Sequence, residues 1–385
     1  MKTVFYSQHV LGVGHLFRSL EIAAALAPDE VVLVPGGRAL DLALPANVRH
    51  APLPPLMMDA DFAALHAENG RDPEAVLAER RETFFELVRA EAPDVLLVEL
   101  FPFGRKRFGF ELLPVLKAVQ DGGLPPMRCV CSLRDILVEK DDQAGYEARV
   151  LKTLNTYFHG LLVHTDPRVV RLEETFSRAG DIAVPRADTG YVAAAPEPGS
   201  GERLRSELGI TGPLVVASAG GGSVGQALLA AVLEASALLA ADAPHTLALF
   251  PGPYADSEAL AALRARAAAL PHVLPRGFST RFPAWLDAAD LSLSMAGYNT
   301  TMNLLAAGTY GLVLPFAQNR EQAMRAGRLE ALGALGVLDE ADLAPPRLAA
   351  RMAEALSRDA SGAGVDLDGA AASAAHLRRW ARTHG

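Results

Sequence analysis

Cysteine is nearly absent: Cys129 and Cys131 are the only two in 385 residues. They stand two apart in Arg128-Cys129-Val130-Cys131-Ser132-Leu133, a β-like run whose alternate residues share a face. A disulfide between them would be strained, and a metal would find no companion ligands nearby. They read as thiols packed in a strand. A surplus of basic charge is missing too. With 36 Lys and Arg against 45 Asp and Glu, the formal net charge is -9 and the pI about 5.6. Nucleic acid is therefore not an expected partner, because binding it needs a concentrated basic face to release counterions. No run approaches the ~18 apolar residues of a spanning helix. The apolar N-terminal stretch is broken by His9, His15 and Arg18, with no small-residue cleavage site after it, so it reads as a first strand and helix rather than a signal peptide. A cytoplasmic protein without a transmembrane segment is expected.

Two nucleotide-binding fingerprints are present only in part. Gly12-Val13-Gly14-His15-Leu16-Phe17-Arg18 follows the first strand, but a dinucleotide fingerprint needs a third glycine where Phe17 stands. It also needs an acidic residue closing the second strand, where the chain has Val34-Pro35-Gly36-Gly37-Arg38. Nicotinamide chemistry is not expected. Gly220 to Gly225 has P-loop spacing, but Gln226 and Ala227 occupy the Lys and Ser/Thr positions, so ATP hydrolysis has no support.

What is present is a chain whose residues are half hydrophobic, long enough for two α/β domains. Strand-like runs alternate with amphipathic segments, which predicts parallel sheets with crossover helices. The first series comprises 3–7, 30–34, 95–99, 128–132, 161–164 and an edge run Ile182-Ala183-Val184. The second comprises 214–219, 246–250, 272–274, 291–295 and 312–315. Residues 1–192 are expected as the first domain, 193–212 as a Pro/Gly-rich linker, 213–368 as the second domain, and 369–385 as a helix returning to the first. Function is expected in a cleft between the carboxyl ends of the two sheets.

The most informative stretch is Ser294-Met295-Ala296-Gly297-Tyr298-Asn299-Thr300-Thr301, where a strand turns through glycine into a helix. Its unpaired amides and the positive end of the helix dipole suit an anion, most simply a diphosphate. A second such start lies at Gly220-Gly221-Gly222-Ser223-Val224-Gly225. In the first half, Gly14 lets the backbone approach a ligand, and His15 is a candidate general base, against the plainer role of a capping or packing histidine. Glu99 closes a strand and leads into Phe101-Pro102-Phe103-Gly104-Arg105-Lys106-Arg107, which either borders an acceptor site or is a solvated basic turn. Asp59-Ala60-Asp61 and Asp366-Leu367-Asp368 read as loop carboxylates rather than a metal clamp. No metal ligands and no cofactor are expected.

These motifs resemble the GT-B glycosyltransferases, and within them the bacterial predicted glycosyltransferases whose C-terminal half is similar to MurG of glycosyltransferase family 28. The resemblance is carried by Gly12-x-Gly14-His15-Leu16-x-Arg18, Phe101-Pro102-Phe103-Gly104, Thr189-Gly190-Tyr191-Val192 and Gly220-Gly221-Gly222-Ser223-x-Gly225. Its most specific part is Ala296-Gly297-Tyr298-Asn299-Thr300 through Ala307-Gly308, Leu314-Pro315-Phe316 and Arg320-Glu321-Gln322. It implies two Rossmann-like domains and an inverting, metal-independent transferase of hexosyl or N-acetylhexosaminyl groups. The donor would be a nucleotide-diphosphate sugar, a UDP-sugar first. By the same resemblance His15 is the base. Gly221, Gly222, Ser223, Gly297, Tyr298, Asn299 and Thr300 cradle the diphosphate; Phe278 meets the base, Ser279 is a further donor-binding residue, and Glu321 and Gln322 meet the sugar hydroxyls. Where the family places a ribose-binding Glu this chain has Asn303, so the ribose is expected to be held by a neutral side chain. Arg18, Phe103, Arg105 and Arg134 fall on the acceptor side, and the acceptor itself has no readable code. Two rival readings are a nucleotide-sugar 2-epimerase, which would need no acceptor, and a nucleotide-sugar-binding protein without catalysis.

Overall fold

Short apolar runs between helices build two separate parallel sheets in the computed structural model, which describes residues 1–8, 14–36, 43–58, 65–67, 71–222, 224–358 and 364–382. The chain divides into two compact units, residues 1–192 with 368–385, and residues 193–367.

Unit 1 runs β1 (Lys2–Gln8), α1 (Gly14–Ala25), β2 (Glu30–Gly36), β3 (Val48–His50), a small antiparallel hairpin of β4 (Leu56–Met58) and β5 (Leu65–Ala67), then α2 (Pro73–Glu91). It continues through β6 (Val95–Glu99), α3 (Gly109–Gln120), β7 (Arg128–Arg134), α4 (Gln143–Tyr157), β8 (Gly160–His164) and β9 (Arg186–Asp188). The sheet order is β3-β2-β1-β6-β7-β8-β9, with every pairing parallel. Covered on both faces, its central strands are buried along their length, which is why they read as unbroken apolar runs. Two of its helices, α2 and α4, begin where side chains satisfy their first amides. Asp72 accepts from the amides of Glu74 and Ala75 with Pro73 next to it, and Asp142 accepts from that of Gly145.

The edge strand differs from the expectation. Ile182 and Val184 do not pair with β8; the ladder starts three residues later, where Leu161 N donates to Pro185 O at 2.9 Å. The reason is local. Asn155 donates to Asp181 O and accepts from Ala183 N, both at 2.9 Å, so a side chain takes the backbone bonds a strand would need. Ile182 and Val184 pack against the core from a turn.

Unit 2 contains α5 (Ser200–Leu208), β10 (Leu214–Ser218), α6 (Gln226–Leu239), β11 (Thr246–Phe250), α7 (Ser257–Ala268), β12 (Val273–Pro275) and α8 (Phe282–Ala288). It is completed by β13 (Leu291–Met295), α9 (Tyr298–Ala307), β14 (Gly311–Leu314), α10 (Arg320–Ala331), β15 (Gly336–Val337) and α11 (Pro345–Leu356). Its parallel sheet has the order β12-β11-β10-β13-β14-β15. The segment expected as a linker carries α5. Asp287 accepts from Gly201 N at 2.6 Å and from the Ser200 hydroxyl at 3.1 Å, and Leu204 is buried, so the Pro/Gly-rich approach is a helix start rather than a flexible tether.

The last helix, α12 (Gly369–Ala381), belongs to unit 1. The chain leaves and re-enters that unit at one antiparallel bridge, Val192 with Asp368. Ala374, Leu377 and Trp380 join the cluster of Phe5, Leu16, Leu20 and Leu33, and Arg378 Nε reaches Asp29 Oδ2 at 2.7 Å. Burying Leu377 and Trp380 stabilises unit 1 by several kcal/mol on ordinary transfer values. Among the described residues no helix is long and apolar enough to cross a membrane.

Candidate functional site

In unit 1 the chemistry-bearing side chains gather at the C-terminal ends of β6, β7 and β8 and at the start of α1. His15, in the first turn of α1, places Nδ1 2.6 Å from Glu99 Oε1, and its side chain is 25% exposed. Glu99 is 2% exposed, and Arg18, one helical turn beyond His15, donates to the same carboxylate. Arg18 Nη2 also lies 3.1 Å from His15 Nδ1. Two donors cannot bond each other, so the carboxylate decides the tautomer: Nδ1 carries the proton and gives it to Glu99, and Nε2 keeps its lone pair. Burial pulls the His15 pKa down to about 4, against the opposing field and hydrogen bond of Glu99. The histidine is neutral at pH 7. Burial alone would raise the Glu99 pKa, but His15, Arg18 and Arg105 hold its carboxyl well below the usual range.

Behind this pair lies a buried polar chain that sequence reasoning missed. His164 Nε2 meets the Ser132 hydroxyl at 2.7 Å, and its Nδ1 meets that of Thr189 at 2.9 Å. His164 is fully buried, which pushes its pKa down to about 3. Across the sheet, Arg80 and Glu111 pair at 2.6 Å, both fully buried; Tyr6 donates to Glu111 and Arg80 to Gln8 Oε1. Ser132 and Glu111 stand out in the sequence as isolated polar residues within apolar runs, whereas Arg80 lies in a charged stretch that gives no signal.

Several expected acceptor-side residues have other duties. Arg18 is 4% exposed and engaged with Glu99, so it positions the carboxylate rather than facing an acceptor. Phe103 is 3% exposed and packs edge-on against Phe176, ring centres 5.2 Å apart. It is core, because the turn carrying it folds inward and Tyr146 donates to its carbonyl at 2.7 Å. Tyr146 itself lies in the first turn of α4. Arg105 and Arg134 are half-buried at the sheet edge near Glu99.

Unit 2 builds its candidate site from backbone. The turns after β10 and β11 interlock: a methyl group on Gly222 would sit 2.5 Å from Pro251 O, and one on Gly252 would sit 2.5 Å from Gly220 O. Both have positive φ, 88° and 86°, so only glycine fits either the shape or the space. The glycine turn also lies against the start of α9, since a methyl on Gly220 would be 3.7 Å from Thr300 Oγ1. The two glycine-bearing helix starts picked out in the sequence are therefore neighbours. Neither the N-cap of α6, Gly225, nor that of α9, Gly297, places a side chain over the first amides. Paired helix N-termini of this kind suit phosphate oxygens.

The other expected donor residues are spread around this turn. Phe278 is 56% exposed in the loop after β12, and the Ser279 hydroxyl accepts from Arg281 N at 3.1 Å. The Arg325 guanidinium lies 5.1 Å from the centre of the Tyr298 ring. Asn299 is half-buried in the first turn of α9. Glu321 is 7% exposed, and Gln322 Oε1 accepts from Phe316 N at 3.0 Å, which leaves the Gln322 amide group. Asn303 Oδ1 accepts from Ala194 N at 2.9 Å, so the side chain expected at the ribose ties the first residues of unit 2 to α9. Ser223, Gly12 and the Asp59-Ala60-Asp61 stretch lie outside the described residues. Among the described residues no three His, Cys, Asp or Glu side chains converge as metal ligands, and both cysteines are buried thiols.

Comparison with known proteins agrees with this architecture. The glycosyltransferase family 28 C-terminal domain matches residues 216–366. No curated relative matches the chain in sequence. Among solved structures, MurG of Acinetobacter baumannii superposes with a TM-score of 0.58 at 15% identity, covering 98% of this chain and 100% of that one. UGT2 of Phytolacca americana, solved with UDP-2-fluoro-glucose and pterostilbene, gives 0.61 at 13%, covering 99% and 94%. The glycotransferase of kitacinnamycin gives 0.56 at 18%, covering 100% and 95%. The domain match and these neighbours together support glycosyl transfer. The chain is an α/β protein of the GT-B glycosyltransferase fold whose second unit carries a MurG-like, family 28 C-terminal domain.

Proposed function

We propose that this protein is an inverting glycosyltransferase in which unit 2 holds a nucleotide-diphosphate sugar, a UDP-sugar, and His15 of unit 1 deprotonates the acceptor hydroxyl. The observation that carries the reading is the pair of half-buried His15 and buried Glu99, 2.6 Å apart, with Arg18 fixing the carboxylate. With Nδ1 donating to Glu99, Nε2 is the basic nitrogen. It takes the hydroxyl proton as the acceptor oxygen attacks the anomeric carbon, and the bond from that carbon to the diphosphate breaks. The imidazolium so formed gains the full attraction of Glu99, an interaction stronger in the transition state than before it. A single displacement of this kind inverts the anomeric centre. Glu99 is too buried and too tightly paired to serve as the carboxylate nucleophile that a retaining route needs.

On the donor side, the interlocked glycine turn and the uncapped starts of α6 and α9 would receive the departing diphosphate through main-chain dipoles, so the chemistry needs no metal. The exposed Phe278 ring offers a stacking face for a base, with uracil favoured by the family resemblance. Glu321 and the Gln322 amide group would read sugar hydroxyls, hexosyl or N-acetylhexosaminyl.

Thermal shift against UDP, GDP and dTDP tests the donor, because a ligand bound only by the native state raises Tm. UDP should give the largest shift. With the corresponding UDP-sugar, product anomeric configuration by NMR should be opposite to that of the donor, and retention would overturn the mechanism.

A further inference from the structure

Strands β6 and β7 run parallel with Glu99 opposite Ser132, so the turn after Glu99 and the end of β7 at Arg134 emerge together. Three guanidinium groups act on one another at this edge: Arg18 and Arg105 lie in the field of Glu99, and Arg134 in that of Arg105. Their carboxylate partners do not balance them. Arg18 and His15 both engage Glu99 Oε1, while its Oε2 has no hydrogen-bond partner, and Glu111 is taken by Arg80 and Tyr6. Asp135, buried next to Arg134 in the chain, is a further carboxylate at this edge.

Arg105 is the surplus cation. Its Nε is buried without a hydrogen-bond partner, and the side chain forms no ion pair among the described residues. Its backbone is held rigidly all the same. Arg105 takes the left-handed conformation, φ 57°, and its carbonyl accepts from Phe108 N at 2.8 Å; Phe101, Phe103 and Phe108 on either side are all buried. Holding a half-buried guanidinium in place without a direct ion-pair partner is costly unless a ligand supplies one. The planar guanidinium matches carboxylate and phosphate oxygens, and burial lowers its pKa against the field of Glu99. The turn that carries Arg105 follows directly on Glu99, the hydrogen-bond partner of His15, which brings both to the same end of the sheet.

We infer that the acceptor carries an oxyanion, a phosphate or a carboxylate, that Arg105 binds beside His15. The inference rests on the acceptor-side reading of unit 1 given above.

Calorimetric titration of UDP-saturated protein with inorganic phosphate and, separately, with acetate tests it, since UDP blocks the phosphate site of unit 2. One of the two anions should bind in the millimolar range. Its affinity should fall at least tenfold in Arg105→Ala and less in Arg105→Lys, with UDP affinity unchanged in both. Which anion binds identifies the group on the acceptor. In the wild-type protein the same anion should slow phenylglyoxal modification of Arg105, followed by peptide mapping, so the outcome does not depend on the variants folding. Absence of binding by both anions, equal binding in Arg105→Ala, or modification of Arg105 that the anion leaves unchanged would overturn the inference. Failure of UDP itself to bind would instead overturn the glycosyl-transfer reading.

Discussion

Unit 1 and unit 2 carry their candidate chemistry in opposite materials. In unit 1 it resides in charged side chains: His15, Glu99 and Arg18 are held by one another, and each depends on the charge state of the next. In unit 2 it resides in main chain: Gly220, Gly222 and Gly252 allow two turns to interlock beside the uncapped start of α9. A site made of side chains can move a proton but fails when one charge is lost. A site made of backbone binds without moving protons and fails only when its conformation is blocked.

The largest effect should separate these two behaviours. His15→Ala should lower kcat for donor turnover roughly 10²- to 10⁴-fold while leaving UDP affinity nearly unchanged, as steady-state kinetics beside calorimetry would show. Unaltered turnover would move the proton transfer elsewhere.

Glu99→Gln should act on stability as well as rate. It strands the buried Arg18 guanidinium, a change that costs about 3–5 kcal/mol in comparable buried pairs, and urea denaturation measures it. A loss below about 1 kcal/mol would mean that the pair is not closed in solution.

Acid should tell the units apart too. The folded-state His15 pKa, about 4, lies below its ordinary 6.5, so between these values the unfolded chain takes up a proton that the folded protein refuses. This contribution is complete above about pH 6.5 and is lost as pH falls towards about 4. Its size is on the order of 3 kcal/mol. His164, pushed down to about 3 by burial, works in the same direction. Denaturation at stepped pH should show the slope reduced in His15→Gln, and an equal slope would remove His15 as its source.

Gly222→Ala addresses unit 2. The new methyl would sit 2.5 Å from Pro251 O at a φ of 88°, so UDP affinity should weaken by about 1–3 kcal/mol while kcat at saturating donor changes little. A variant with normal UDP affinity and reduced kcat would reverse the division of labour.

The smallest effect is expected at Asn303. Its one acceptor oxygen already serves Ala194 N, so the protein should distinguish UDP from dUDP by only about 1 kcal/mol. A large preference for UDP would show that another residue reads the 2'-hydroxyl.

The residues themselves announced the parallel sheets, because strands covered on both faces are continuous apolar runs. They announced the helix starts after β10 and β13 because glycine followed by a helical pattern is a local signal. Gln226–Leu239 and Leu291–Met295 could be read directly for that reason. His15 and Glu99 could be singled out as reactive types at strand and helix ends, but nothing local told that they touch across 84 positions. Phe103 and Arg18 looked like surface chemistry because their types and loop positions allowed it. Only the inward fold of the turn after β6 made Phe103 core, and only the approach of α1 to Glu99 buried Arg18. Local conformation and burial periodicity are short-range properties, set by steric limits and hydrophobicity over a few residues, and the sequence determined them by itself. Pairing of charges, the choice of histidine tautomer and the interlocking of Gly222 with Gly252 join residues far apart in the chain. Tertiary structure alone decided them, because Coulomb and contact energies depend on distance in space.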